Sequence, residues 1–250
     1  MLYHGTTVTV LPMLQRVGIA PRAVTKGKDN WKHTVTSNRN AVYLTTAYPW
    51  HFAAHASKDQ VGLILEIERA YLLPWLLCPD EDWMEQASRE VGPNDKNPNL
   101  APIDKSMKER TMYYRRIARH NPKLADKSLE MMGTCAYYGT IPWDAVTRYV
   151  TIDWRTIHPS MHLRAVDSMV SILNHQILSQ RHQALTRWFF GDPVTPQELN
   201  GNDDFIRQLQ EEDPGHKNLQ LMLKQNEATA TIMQLRDGLN VVTLRTAAVA

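Results

Sequence analysis

From Val61 to Glu68 the chain alternates, with Val61, Leu63, Leu65 and Ile67 on one face of an extended strand and Glu66 and Glu68 on the other. A period of two over eight residues commits this stretch to a sheet, and the two glutamates predict that one face of that sheet is wet. The neighbouring segments fit the same plan. Leu2 to Thr7 and Ala41 to Thr46 are β-branched and aromatic and read as strands, as do Thr134 to Tyr138 and Arg148 to Ile152. Helical signals lie between them. Leu11, Leu14, Val17 and Ile19 fall close to helical spacing until Gly18 and Pro21 supply a stop, and Tyr48 to Ser57 opens with Pro49 in its first turn. The run Pro79-Asp80-Glu81-Asp82-Trp83 places acids at a helix start, where the positive end of the helix dipole favours them. Strand, helix, loop, strand, helix, strand is the order of an α+β fold.

Beyond His158 the character changes. Val166, Met169, Val170, Leu173 and Ile177 mark one amphipathic helix, and Leu219, Met222, Leu223, Met233 and Leu235 another. The expected division is a mixed domain over residues 1–157 and a mainly helical C-terminal extension over 158–250, either separate or packed directly on the first part. With 250 residues, 43% of them hydrophobic, such a chain fills a real core. The most apolar stretch, Tyr71 to Cys78, is broken by Pro74 and too short to span a bilayer, so no membrane partner is expected. Cys78 and Cys135 are the only cysteines and suit a reducing, cytoplasmic setting.

A net charge of +2 provides no global field for a polyanion, so any nucleic-acid interface must be local. Lys105 to Lys127 offers one: eight Lys and Arg stand against Glu109 and Asp126, with Tyr113 and Tyr114 interleaved. Lys108, Arg110, Arg115, Arg116 and Arg119 are the candidate contacts to a phosphate backbone, the alternative being a solvated helix face. The chain has no phosphate-cradling Gly-rich loop, no dinucleotide fingerprint and no nucleophile elbow. His51 and His55 have metal-ligand spacing, but Phe52 stands where a His-Glu-x-x-His site needs its glutamate, so no metal is expected. What remains is His4-Gly5-Thr6, an imidazole, an unobstructed backbone and a hydroxyl at the end of a short strand.

In order, His4-Gly5-Thr6, Val42-Tyr43-Leu44-Thr45, Leu63-Ile64-Leu65-Glu66-Ile67 and Tyr138-Gly139-Thr140-Ile141-Pro142 resemble the ADP-ribosyltransferase superfamily over about residues 1–153. The likeness is to its His-Tyr-Glu branch, which includes poly-ADP-ribose polymerases and diphtheria-type toxins. The resemblance implies a split, mostly antiparallel β core with NAD, as a substrate, in the cleft between its halves. It gives His4 a ribose hydroxyl, Gly5 the nicotinamide carboxamide through its backbone, and Tyr43 the nicotinamide ring, with Thr6 and Thr45 as secondary contacts. It departs from the family at the third signature residue, where counting back from Ile141 finds Thr134 in place of a glutamate. Glu130 is the expected substitute, with Glu66 and Glu68 as further candidates.

The function so implied is cleavage of the N-glycosidic bond of NAD and transfer of ADP-ribose to a macromolecular acceptor, protein or nucleic acid, with the basic run favouring nucleic acid. Two alternatives accompany it: an N-glycosidase that excises a base in the same cleft, and a non-enzymatic binding module, motivated by Thr134. The RNA 2-prime-phosphotransferases share the His-Gly-Thr motif and an arginine before the second strand, here Arg39, but carry a separate N-terminal domain for which His4 leaves no room.

Overall fold

The alternating stretch forms β3 (Val61–Ile67), near the middle of a single antiparallel sheet. Its companions are β1 (Leu2–Thr7), β2 (Val42–Thr45), β4 (Leu77–Pro79), β5 (Thr134–Tyr137), β6 (Val146–Asp153) and β7 (Leu239–Thr243). Seven strands run in the order β4-β5-β2-β1-β3-β6-β7. This computed structural model describes residues 1–26, 37–58, 60–84, 106–155, 183–195, 198, 207, 210–215 and 239–244. Helices α1 (Leu11–Val17), α2 (Pro49–Ser57), α3 (Met107–His120) and α4 (Ala125–Met132) pack on the sheet, making the α+β architecture. Among the described residues no helix is long and apolar enough to cross a membrane.

The sheet has no wet central face. On one side Leu2, Leu63, Leu65 and Ile67 meet Leu14 of α1 and Ile19, and the same apolar layer continues over Leu44, Cys135 and Tyr137 to Ala125 and Leu129 of α4. On the other side Ile64 and Val150 lie under Trp50 and Ala53 of α2 and under Trp188, Phe189 and Phe190. Gly62 is buried beneath Trp154, whose Nε1 would stand 2.6 Å from a Cβ at that position. The expectation of a solvated face therefore fails at Glu66, which is only 3% exposed. Its charge is matched instead: Arg148 donates from Nε to Oε1 at 2.9 Å and from Nη2 to Oε2 at 2.6 Å, and Thr147 adds a hydroxyl at 2.6 Å. Arg148 also pairs with Asp192 at 2.6 Å and lies over the Phe190 ring. A buried carboxylate needs such partners because desolvation otherwise costs several kcal/mol, on the order of the Born estimates reduced by relaxation.

The C-terminal part joins the same body. Helical residues 183–189 carry Ala184, Leu185, Trp188 and Phe189 into the core around Tyr3, Trp50 and Trp154. Thr186 donates its hydroxyl to the Ala47 carbonyl at 2.7 Å, and β7 adds an edge strand beside β6. Residues beyond 157 thus include a strand as well as helix, and pack directly on the first part. The helices read at 166–177 and 219–235, and the boundary at Ile157, lie outside the described residues.

A candidate cleft where the sheet parts

β1 pairs with β3 through six registered residue pairs, Leu2↔Ile67 to Thr7↔Gly62, but with β2 through Tyr3↔Thr45 alone. The sheet therefore parts between β1 and β2 immediately after Tyr3. His4 is the first residue past that point, and its Nδ1 donates to the Tyr43 carbonyl across the gap at 3.0 Å. A carbonyl only accepts, so this contact fixes the proton on Nδ1 and leaves Nε2 as an acceptor in the neutral ring. Burial lowers the His4 pKa, with the Tyr43 hydrogen bond opposing it, which favours that neutral form. Two residues on, Thr6 shares the His4 face of β1 and is half-buried. Gly5 faces the opposite way, into α2. A Cβ there would come within 2.0 Å of the Pro49 carbonyl, so glycine is what lets the helix lie on the strand.

Tyr43 is the hub of the other lip. Its hydroxyl accepts from the Asn38 backbone N–H at 2.8 Å and donates to Glu81 Oε1. Burial raises its pKa, with the charges of Glu81 and Asp80 adding to the effect, so the phenol keeps its proton and remains a donor. Glu81 opens the helical turn 81–84 directly after β4 and is 4% exposed. Arg115 reaches in from α3 to the same Oε1 at 3.3 Å. The second oxygen, Oε2, is buried and has no hydrogen-bond partner among the described residues. Asp80 caps the turn, its Oδ1 accepting from the Asp82 amide at 3.0 Å. Burial pushes the Asp80 carboxyl up to about 8, the charges of Asp82 and Glu81 add to this, and the Asp82 amide and Thr134 hydroxyl oppose it.

The sequence-derived residues are thus sorted. The His4 ring meets the Tyr43 backbone at the parting of the sheet, with Thr6 on the same face of β1, while the Tyr43 side chain lies on the other face, towards Glu81. Thr45 is buried, its hydroxyl donates to the Gly133 carbonyl at 2.6 Å, and it accepts from the amides of Ala47 and Tyr48, closing the turn after β2. Glu130 is exposed on α4, and among the described residues no hydrogen bond joins it to His4 or Tyr43. Glu66 is consumed by Arg148, and Glu68 is half-buried past the end of β3. The carboxylate in contact with Tyr43 is Glu81, whose local sequence is that of a helix start. A signal existed, since three consecutive acids behind an apolar run and Pro79 are more than one helix dipole requires.

Of the basic run, Lys108, Arg116 and Arg119 are exposed on α3, whereas Arg110 and Arg115 are half-buried and Arg115 is turned inward to Glu81. Arg119 lies over the Tyr138 ring at 5.5 Å, and the Asn38 side-chain amide donates to the Tyr138 hydroxyl at 3.2 Å. His51 and His55 stack edge-on at 4.5 Å between ring centroids on α2. Among the described residues no group of three or more His, Cys, Asp or Glu could hold a metal ion.

Chemically, the lips of the β1/β2 gap carry a neutral imidazole acceptor and a threonine hydroxyl on one face, and an aromatic ring beside a carboxylate with one buried oxygen, unpartnered among the described residues, on the other. Acceptors of this kind suit a ligand rich in hydroxyl donors, and the ring suits a flat heteroaromatic group. The chain matches no family model, no curated protein and no solved structure in comparisons with each.

Proposed function

We propose that the protein cleaves the N-glycosidic bond of NAD and transfers the ADP-ribosyl group to a macromolecular acceptor, using a cleft of ADP-ribosyltransferase type. The observation that carries this reading is the half-satisfied Glu81 carboxylate bound to the Tyr43 hydroxyl, on the far side of the β1/β2 gap from His4. The residues fit the dinucleotide: Glu81 Oε2 and His4 Nε2 can each accept from a ribose hydroxyl, and the partly exposed Tyr43 ring can stack on nicotinamide. Bound NAD supplies the labile bond between the ribose C1 and the nicotinamide nitrogen, which departs with the bonding electrons. Glu81 stabilises positive charge developing on the sugar, and its pairing to Tyr43 and Arg115 holds the carboxylate in place for that task. Glu81 takes the role that the resemblance gave to a residue at the head of β5, one strand away from where it was expected.

Incubating the protein with NAD labelled on the adenylate, in the presence of nucleic acid or cell extract, tests this. Label should pass to macromolecules, and His4→Ala should reduce transfer by about 100-fold or more. Absence of both NAD binding and turnover refutes the reading.

A further inference from the structure

The apolar stretch Tyr71 to Cys78 ends in β4, but its first half lies on the surface. Two 3₁₀ turns, Arg69–Tyr71 and Pro74–Leu76, leave Tyr71, Leu73 and Trp75 exposed, and Trp75 is 63% exposed, the most open tryptophan among the described residues. Large aromatic surface left in water usually marks a contact site. The company of this turn says what kind. The Leu76 carbonyl accepts from the Tyr138 amide at 2.8 Å, and Tyr138 carries Arg119 over its ring. The Pro74–Leu76 turn also packs against the Pro122–Leu124 turn that follows α3. Arg116, Arg119, His120, Lys123 and Lys127 are all exposed along that segment. Of the two acids in residues 116–130, Asp126 is already paired with Arg69 at 2.6 Å, which leaves Glu130 against Arg116, Arg119, Lys123 and Lys127, so the net charge of this stretch is positive.

We infer that the turn bearing Trp75 and the outer face of α3 form a docking surface for single-stranded nucleic acid. Unpaired bases stack on the Trp75 indole, because every base offers a π-face, while Arg116 and Lys123 contact phosphates. A duplex hides those faces and a neutral protein partner does not use the cations, so the combination favours a single strand. The surface is connected to the cleft: the Tyr138 ring under Arg119 shares Asn38 with Tyr43 through its hydroxyl. This rests on, and deepens, the proposed transfer reaction by naming its acceptor.

The test is fluorescence anisotropy of a labelled twenty-nucleotide oligothymidine and of a duplex of equal length, titrated with the full chain in the absence of NAD at several salt concentrations. The single strand should bind more tightly than the duplex, and Trp75→Ala should weaken it by about tenfold, the scale of one lost base stack. In Arg116→Gln/Lys123→Gln the slope of log affinity against log salt should become shallower by about 1.4, roughly 0.7 per lost cation. Both variants change exposed side chains, and unchanged melting temperatures will show that they fold. No binding of the single strand, equal binding of the duplex, or affinity indifferent to both variants overturns the inference. Nicotinamide release from NAD, measured on the same samples, should be unchanged by Trp75→Ala. Its persistence without oligonucleotide binding removes the acceptor alone, and its absence removes the NAD reading.

Discussion

Glu66 and Glu81 are two carboxylates of nearly equal burial, 3% and 4% exposed, on opposite sides of the β1/β2 gap, and they are treated differently. Both oxygens of Glu66 are engaged, by Thr147 and by a two-pronged contact from Arg148, and Asp192 completes the arginine's pairing. Glu81 has one oxygen bound to Tyr43 and Arg115 and one with no partner among the described residues. Burial alone therefore does not separate a fully paired charge from a half-paired one. The difference lies in satisfaction: a fully paired buried ion holds neighbouring strands in register, while a half-paired one retains the capacity to receive a ligand.

The largest effect should come from attacking the satisfied side. Arg148→Met leaves Glu66 buried without its cation, and should lower unfolding free energy by about 3–5 kcal/mol in denaturant titrations. Adding Glu66→Gln to that variant should recover much of the loss, since the penalty belongs to the orphaned charge. Gly5→Ala should follow at about 1–3 kcal/mol, the cost of overpacking against the Pro49 carbonyl.

The acid cluster beside Glu81 should show itself through pH. An Asp80 carboxyl with a folded-state pKa of about 8, raised by burial from the ordinary 3.8, holds its proton more tightly in the folded chain than in the unfolded one. Unfolding between those values releases a proton, so stability should fall as pH rises from about 4 to about 8. Asp80→Asn, which keeps an oxygen for the Asp82 amide, should flatten that decline and melt higher than the parent at pH 8. The smallest effect is expected at the exposed Arg69–Asp126 pair, where Asp126→Asn should change stability by about 1 kcal/mol or less.

Much of this frame was legible in the sequence. Period-two alternation located β3, and β-branched or aromatic runs located β1, β2, β5 and β6 to within a residue or two. Proline in the first turn located α2. Alternation could not say which face is wet, because Glu66 satisfies the pattern of a solvated strand while its partner Arg148 is 82 residues away along the chain, and Asp192, which shares that arginine, is 126 away. The same limit hid Glu81. Its local context is a helix start, and its contact with Tyr43 exists only because β4 and β2 both flank β5. Trp188, Phe189 and Phe190, which the sequence reading passed over, are what tie the later part of the chain to α2. Thr45 illustrates the converse, a residue whose sequence match suggested a ligand and whose hydroxyl closes a turn.

The most direct measurement is nicotinamide release from NAD by the parent protein and by Glu81→Gln, with the melting temperature of each taken in the same buffer. Glutamine keeps the volume and one acceptor oxygen but removes a charge that is only half-compensated. Release should fall by about 100-fold or more, with the variant melting at or above the parent. Undiminished release by a folded Glu81→Gln protein would contradict the role proposed for Glu81.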